Sequence, residues 1–263
     1  MPREVGEWTK DKLKIVGQYL PAYLDATQRA VQRIYIDAFA GPGTNLVERT
    51  GEIIDGSPLI ALSARGRRGA RGFDHLYFIE KDYDLAAELK SEVELRGEGE
   101  RATVIPGDVN VELPELMLKI HPRSPTFIFL DTEGIEPSWE TVQSLAAWRT
   151  ELLINFPLGM SINRNPDSAK TEAYFGTSDW RPLWDTSRRS RTSGLIDLYV
   201  KRLAALGWEH PVNDPRLVKD DGNRNLYYLL FASKLDIGKR IMDSVFRQPD
   251  SSGQARFKMD FPD

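Results

Sequence analysis

The chain has 263 residues, 41% hydrophobic and 28% charged, which fits one large α/β domain with an ample core. A net charge of −4 argues against a surface coated in DNA-binding charge, although it leaves room for local basic patches. The absence of cysteine excludes disulfides, cysteine-zinc centres, iron–sulfur clusters and thiol nucleophiles at once. With only His75, His121 and His210 besides, no dedicated transition-metal site is expected. No apolar run is long enough to cross a bilayer, and the N-terminal MPREVGEWTKDK lacks the apolar core of a signal peptide. The expectation is a cytoplasmic protein without membrane contact.

Short apolar runs predict strands at 34–39 (IYIDAF), 75–80 (HLYFIE), 102–106 (ATVIP), 126–131 (TFIFLD) and 151–156 (ELLINF). Helices are predicted between and after them at 57–65, 82–95, 111–120, 138–149 and 194–206. The first has a start signal: Ser57 as N-cap, Pro58 at the first helical position. A late strand at 226–233 follows short strands near 208–213 and 217–218 and a turn at Asp221-Gly222-Asn223. The alternation predicts a Rossmann-like, doubly wound, mostly parallel seven-stranded sheet that ends in an antiparallel hairpin. Residues 1–263 then form one domain, with a variable loop at 44–55 and a substrate-side insertion at about 160–193. The tail 249–263 is expected to lie loosely over the surface.

Ligands of such folds bind at the carboxyl ends of the strands, and acids line up there. Asp37 lies on the first strand, Glu80 ends the second, Asp108 follows the third, and Asp131 ends the fourth. A dinucleotide needs one acid and a phosphate-cradling GxGxxG turn. The turn here has Gly41 and Gly43, but Leu46 stands at the third glycine position. The following segment carries Glu48, Glu52 and Asp55, which repel a pyrophosphate. S-adenosylmethionine has no phosphate, and its ammonium, ribose diol and adenine amine all suit carboxylates. Asp37 would hold the ammonium directly or through water, Glu80 the ribose and Asp108 the adenine amine, while Gly41 and Gly43 allow close backbone approach. Phe39, Pro42, Lys81 and Val109 flank these positions and complete the predicted cofactor set.

The blocks YIDAFAGPG, GSPLIAL (56–62), YFIEKD (77–82), GDVN (107–110), LLINFP (152–157) and YYLLFASKLDIGKRI (227–241) resemble the three-Cys-motif partner proteins, TcmP. The N-terminal KLKIVGQYLPAYL (12–24) and the FIFLD..G run with Trp139 after it fit as well. The resemblance covers nearly the whole chain in order. It implies a class I methyltransferase-like fold in a family often carried on bacterial and phage mobile elements, and 44–55 as its variable loop. It also names a neighbouring protein as a partner, but no substrate. One departure stands out: where the family usually reads Leu-Asp-Pro-Phe-Gly, this chain has LDTEG, with Thr132 and Glu133 in place of Pro and Phe.

DAFAGPG also resembles the first motif of cytosine-C5 methyltransferases, whose thiolate attack is closed to a chain without cysteine. Transfer to nitrogen or oxygen remains, with an acceptor expected beyond the fourth strand. There Asp131 and Glu133 are the candidate catalytic acids and Asn155 adds an amide contact. Thr132 and Trp139 are candidate substrate contacts, Trp139 having core packing as its plainer reading. RGRRGARG (65–72) falls on the opposite sheet edge, as a solvated loop or a remote docking patch. RPLWDTSRRSRT (181–192) falls on the ligand side. Its Arg181, Trp184, Arg188 and Arg189, with Trp180 before them, suit stacked bases and phosphates, so a nucleic-acid base is the favoured acceptor. Two alternatives remain: a cofactor-binding partner subunit with little catalysis of its own, and a metal-dependent phosphodiester hydrolase built from Asp37, Asp131 and Glu133.

Overall fold

The computed structural model describes residues 2–132, 134–159, 161–164, 169–212, 214–220 and 222–249. The chain runs β1 (Arg3–Val5), α1 (Trp8–Ala26), β2 (Ile34–Asp37), β3 (Thr44–Val47), β4 (Glu52–Asp55) and α2 (Ser57–Ser63). It continues through β5 (His75–Glu80), α3 (Tyr83–Leu95), β6 (Ala102–Pro106), α4 (Val109–Met117), β7 (Thr126–Leu130) and α5 (Trp139–Ser144). After β8 (Thr150–Phe156) come α6 (Ala169–Phe175), α7 (Trp180–Trp184) and α8 (Arg188–Ala205). The last elements are β9 (His210–Pro211), β10 (Arg216–Lys219), β11 (Asn225–Ser233) and α9 (Asp236–Phe246).

The main sheet has the order β10-β11-β8-β7-β2-β5-β6, and the two-residue β9 joins the far edge of β11. Strands β6, β5, β2, β7 and β8 are parallel, while β11 runs antiparallel to both β8 and β10. The central strands are the most apolar. IYID and TFIFL are buried at every position, as strands covered on both faces must be. Alternation along them feeds two cores. Ile36, Ile128, Leu152 and Ile154 face α4, α5 and α8, whereas Tyr35, Phe127, Phe129 and Leu153 face α1, α2 and α9. Each large side chain buried this way contributes about 1.5–3 kcal/mol.

Several local readings change. The predicted loop 44–55 is a β-hairpin, with β3 pairing β4 antiparallel and β1 parallel in a separate three-stranded sheet. Gly56, not Ser57, is the N-cap of α2, because the Ser57 side chain is turned onto Asp37. Helix α4 begins two residues earlier than expected and is capped by Asp108. Helix α8 begins at Arg188 rather than 194, with Ser187 as its cap. Helices α1 and α9 add to the predicted set, and their buried residues recur at helical spacing. Residues 160, 165–168 and 221, and the tail from 250 onward, fall outside the described residues.

Candidate active site

The parallel strands bring the predicted acids to one edge of the sheet. Asp37 is level with Phe78 on β5 and Phe129 on β7, so Glu80 and Asp131 project two residues beyond it. Asp108 follows β6 on the same edge, and Asn155 approaches it from β8. Glu133 lies outside the described residues.

Each acid is engaged differently. Glu80 shapes the glycine turn: its Oε2 accepts from the Gly41 N–H at 2.7 Å and its Oε1 from the Asp82 N–H at 2.9 Å. Gly41 and Gly43 adopt φ of +62° and +90°, conformations that disfavour any side chain. A Cβ on Gly41 would meet nothing closer than Arg3 Nη1 at 3.9 Å, so the turn is open over that atom. Pro42 between them is buried, and Phe39 is a partly buried hydrophobic packed on the core.

Asp108 ties the next loop together. Its Oδ1 accepts from the Asn110 N–H at 2.9 Å, while Lys81 Nζ donates to its Oδ2 at 2.7 Å. These bonds hold its carboxyl below the usual range, the Lys81 contact first. Asn110 in turn accepts from the Ser138 N–H and the Thr141 hydroxyl, both at 2.8 Å, and so anchors the start of α5. Val109 is buried as the first residue of α4.

Asp37 is sealed from solvent at 0% exposure, which removes the direct ligand contact allowed by the sequence reading. Its Oδ2 accepts from the Tyr35 hydroxyl at 3.0 Å, and its Oδ1 from the Phe39 N–H at 3.4 Å. Burial pushes its carboxyl up to about 7; the negative charge of Asp131 adds to that, while the Ser57 and Tyr35 hydroxyls oppose it. It is a buried acid beneath the turn rather than a surface one.

Asp131 meets a partner that the sequence did not reveal. Lys12, near the start of α1, places Nζ 2.5 Å from Asp131 Oδ2, and both side chains are only 13% exposed. The same ammonium sits 5.7 Å from the centre of the Tyr227 ring. Asn155 Nδ2 donates to Asp131 Oδ1 at 3.1 Å and to the Thr132 carbonyl at 2.9 Å. Its own Oδ1 is buried without a hydrogen-bond partner among the described residues. Thr132 is buried and accepts from the Gly134 N–H at 2.9 Å, so it shapes the turn.

The expected aromatic contacts are already covered. Trp139 is 4% exposed, with Tyr199 at 5.3 Å edge-on and Arg202 over its ring at 4.4 Å. Trp180 is buried against Phe175 and carries Arg181 over its ring at 4.8 Å. Trp184 is capped by Arg191 at 4.4 Å. These indoles therefore position arginines instead of offering bare faces. Arg181 also pairs with Glu172 at 2.8 Å. Arg188 and Arg189 are exposed on the first turn of α8, and the Arg188 charge acts on Tyr228, which pairs with Phe156 at the end of β8. Across the molecule, RGRRGARG spends Arg65, Arg67 and Arg71 on backbone carbonyls of α2, α1 and the loop after α1.

Among the described residues no group of three or more His, Cys, Asp and Glu side chains is placed to hold a metal ion. No helix of the described residues is long and apolar enough to cross a membrane. The strand order, with one antiparallel strand beside the fifth parallel one, is decisive for architecture. The sheet is the Rossmann-like, mostly parallel one with an antiparallel hairpin that the sequence predicts. No protein-family model and no curated protein matches the chain. Among solved structures it is similar to the O-methyltransferase from Bacillus cereus in complex with SAH, at 14% identity, TM-score 0.46, covering 83% of this chain and 80% of that one. It is also similar to Trm1 from Pyrococcus horikoshii with S-adenosyl-L-methionine, at 16% identity, TM-score 0.47, covering 93% of this chain and 61% of that one.

Proposed function

We propose that the chain is an S-adenosylmethionine-dependent methyltransferase that acts on a nitrogen or oxygen of a nucleic-acid base. The observation that carries this reading is the edge where the glycine turn, Glu80, Asp108 and Asp131 converge without a phosphate-binding helix start. The residues fit the cofactor. Glu80 and Asp108 are part-exposed; each Glu80 oxygen accepts one backbone N–H and Asp108 Oδ2 accepts only the Lys81 ammonium, so these three oxygens keep a lone pair for a ligand, while Asp108 Oδ1 is taken by the N–H and side-chain amide of Asn110. Gly41 and Gly43 leave the turn without side chains. When bound, the cofactor supplies an electrophilic methyl group on a sulfonium.

The chain's own residues do the rest by positioning. Glu80 would hold a diol, and Asp108 with Lys81 an amine-bearing ring edge. Asp37, buried under the turn, supports the backbone from Phe39 onward. Asp131 would accept the acceptor's hydrogen bond, with Lys12 and Asn155 fixing its two oxygens. Removal of either clamp should lower turnover more than cofactor affinity. Arg188 and Arg189, on the substrate side of the sheet, supply phosphate contacts without sequence readout. The TcmP resemblance adds a mobile-element setting and a neighbouring protein. The altered LDTEG run favours a second reading, a cofactor-binding subunit that turns over only with that neighbour.

The test is calorimetric titration of S-adenosylmethionine and S-adenosylhomocysteine into the wild type and Glu80→Ala and Asp108→Ala variants. It is followed by methyl transfer from radiolabelled donor to RNA and DNA pools. Micromolar binding weakened by each substitution is expected, and no binding by a folded wild type would overturn the assignment. Binding without transfer to any nucleic acid would move the reading to the subunit.

A further inference from the structure

We propose that a cavity on the opposite edge of the sheet is a second ligand site, shaped for an apolar primary amine. It lies between the C-terminal half of α1, the first residues of β8 and the start of α9, opens to solvent on one side, and encloses about 30 Å³, room for an ammonium head whose apolar body stays at the rim. Its wall includes Tyr19, Tyr23, Glu151, Ser233, Ile237 and Ile241. Glu151 is the second residue of β8, four positions before Asn155, or roughly 13 Å along the strand. Both side chains face α1, so one helix reaches Asp131 with Lys12 and the cavity with Tyr19 and Tyr23.

The floor is rich in acceptors. Tyr19 donates to Glu151 Oε2 at 2.5 Å and Ser233 donates to Oε1 at 3.1 Å, which leaves each oxygen a free lone pair. Burial holds the Glu151 carboxyl above its ordinary range, and no ion pair joins it among the described residues. Tyr23 is 2% exposed and fixed by stacking on Phe73, yet its hydroxyl has no hydrogen-bond partner among the described residues. A buried hydroxyl and a buried acid left short of donors cost free energy until a donor arrives.

Position 238 preserves this arrangement. A Cβ on Gly238 would collide with Glu151 Oε1 and Ser233 Oγ, so glycine keeps α9 close while the acid stays in place. Leu235 and Ile237 remain 42% and 43% exposed beside the cavity, suited to an apolar body. The nearby cations do not fill the site. Lys234 Nζ is taken by the Ala146 carbonyl and lies over the Trp208 ring, and Arg149 is exposed.

An ammonium matches this floor: its three N–H donors meet the two carboxylate oxygens and the Tyr23 hydroxyl, and tyrosine faces favour a cation. A carboxylate-only ligand would be repelled by Glu151, and a purely apolar one would leave the Tyr23 hydroxyl unpaired. Arg149 at the side admits a ligand that carries a carboxylate as well, so both a free amine and an amino acid present the same chemistry.

The experiment is calorimetry of 2-phenylethylamine, phenylalanine and 3-phenylpropionate into the full chain without methyl donor, which separates it from the test of the methyltransferase reading. Saturable binding of the amine is expected, with phenylpropionate at least tenfold weaker. Phenylalanine binding as tightly would assign the source to amino acids, and its rejection would assign it to free amines. Glu151→Gln should weaken the amine at least tenfold and Tyr23→Phe several-fold. Ala26→Phe, at an exposed position lining the cavity, should block entry and decides the matter if Glu151→Gln does not fold. No saturable amine binding, equal binding of phenylpropionate, or indifference to Ala26→Phe would overturn the proposal.

Discussion

Asp37→Asn should change how stability depends on pH. The carboxyl ordinarily titrates at 3.8 and is raised to about 7 in the folded chain, chiefly because burial penalises the charged form. A raised pKa means that the folded state holds the proton more tightly than the unfolded state. The contribution is therefore complete below the unfolded value and is lost as pH climbs through the folded one. A shift of roughly 3 units, at about 1.36 kcal/mol each, amounts to about 4 kcal/mol between pH 4 and pH 8. Asparagine keeps an acceptor for the Tyr35 hydroxyl, which donates to Asp37 at 3.0 Å, and has no proton to lose. Urea unfolding of both proteins at pH 4.5, 6, 7 and 8.5 gives the difference directly, since other titrating groups cancel. The variant should gain on the wild type by several kcal/mol across that range. A difference that stays constant with pH would refute the assignment of Asp37 as a buried acid whose carboxyl is raised by desolvation.

Three further outcomes follow from the same edge of the sheet. Gly43→Ala forces a Cβ into φ +90° and against the buried Leu89 at 2.9 Å, so thermal unfolding should report a loss of about 1–3 kcal/mol. Lys12→Met strands Asp131 in a pair whose members are each 13% exposed, at a cost of about 3 kcal/mol. Adding Asp131→Asn should restore most of that stability while transfer stays low; if the double variant is no more stable than Lys12→Met, the pair is not coupled. Replacing both Arg188 and Arg189 by alanine should weaken binding of single-stranded RNA. The slope of log affinity against log salt should flatten by about 0.7 for each phosphate no longer neutralised, read from filter binding at several salt concentrations.

Strand existence and order of chemistry were legible in the sequence because both are local. A run such as TFIFL states by composition that it is buried on both faces, and an acid at its end must lie at the sheet edge. Turn glycines 41 and 43 read as permitting close backbone approach, and the structure adds that φ is positive at both. Composition alone removed thiol chemistry. The tertiary structure decided what those acids do. Nothing around Asp37 in sequence says that it is sealed, because the cover comes from Tyr35, Ser57 and the neighbouring strands. Lys12 is one charge among many at the start of a helix until α1 packs across the sheet and delivers it to Asp131, 119 positions away in the chain. Trp139 reads most plainly as core and Trp180 as a base platform, and the packing of Tyr199, Arg202 and Phe175 buries both. The sequence thus carries the chemistry at each strand end, while partners brought together by long-range packing determine charge state and access.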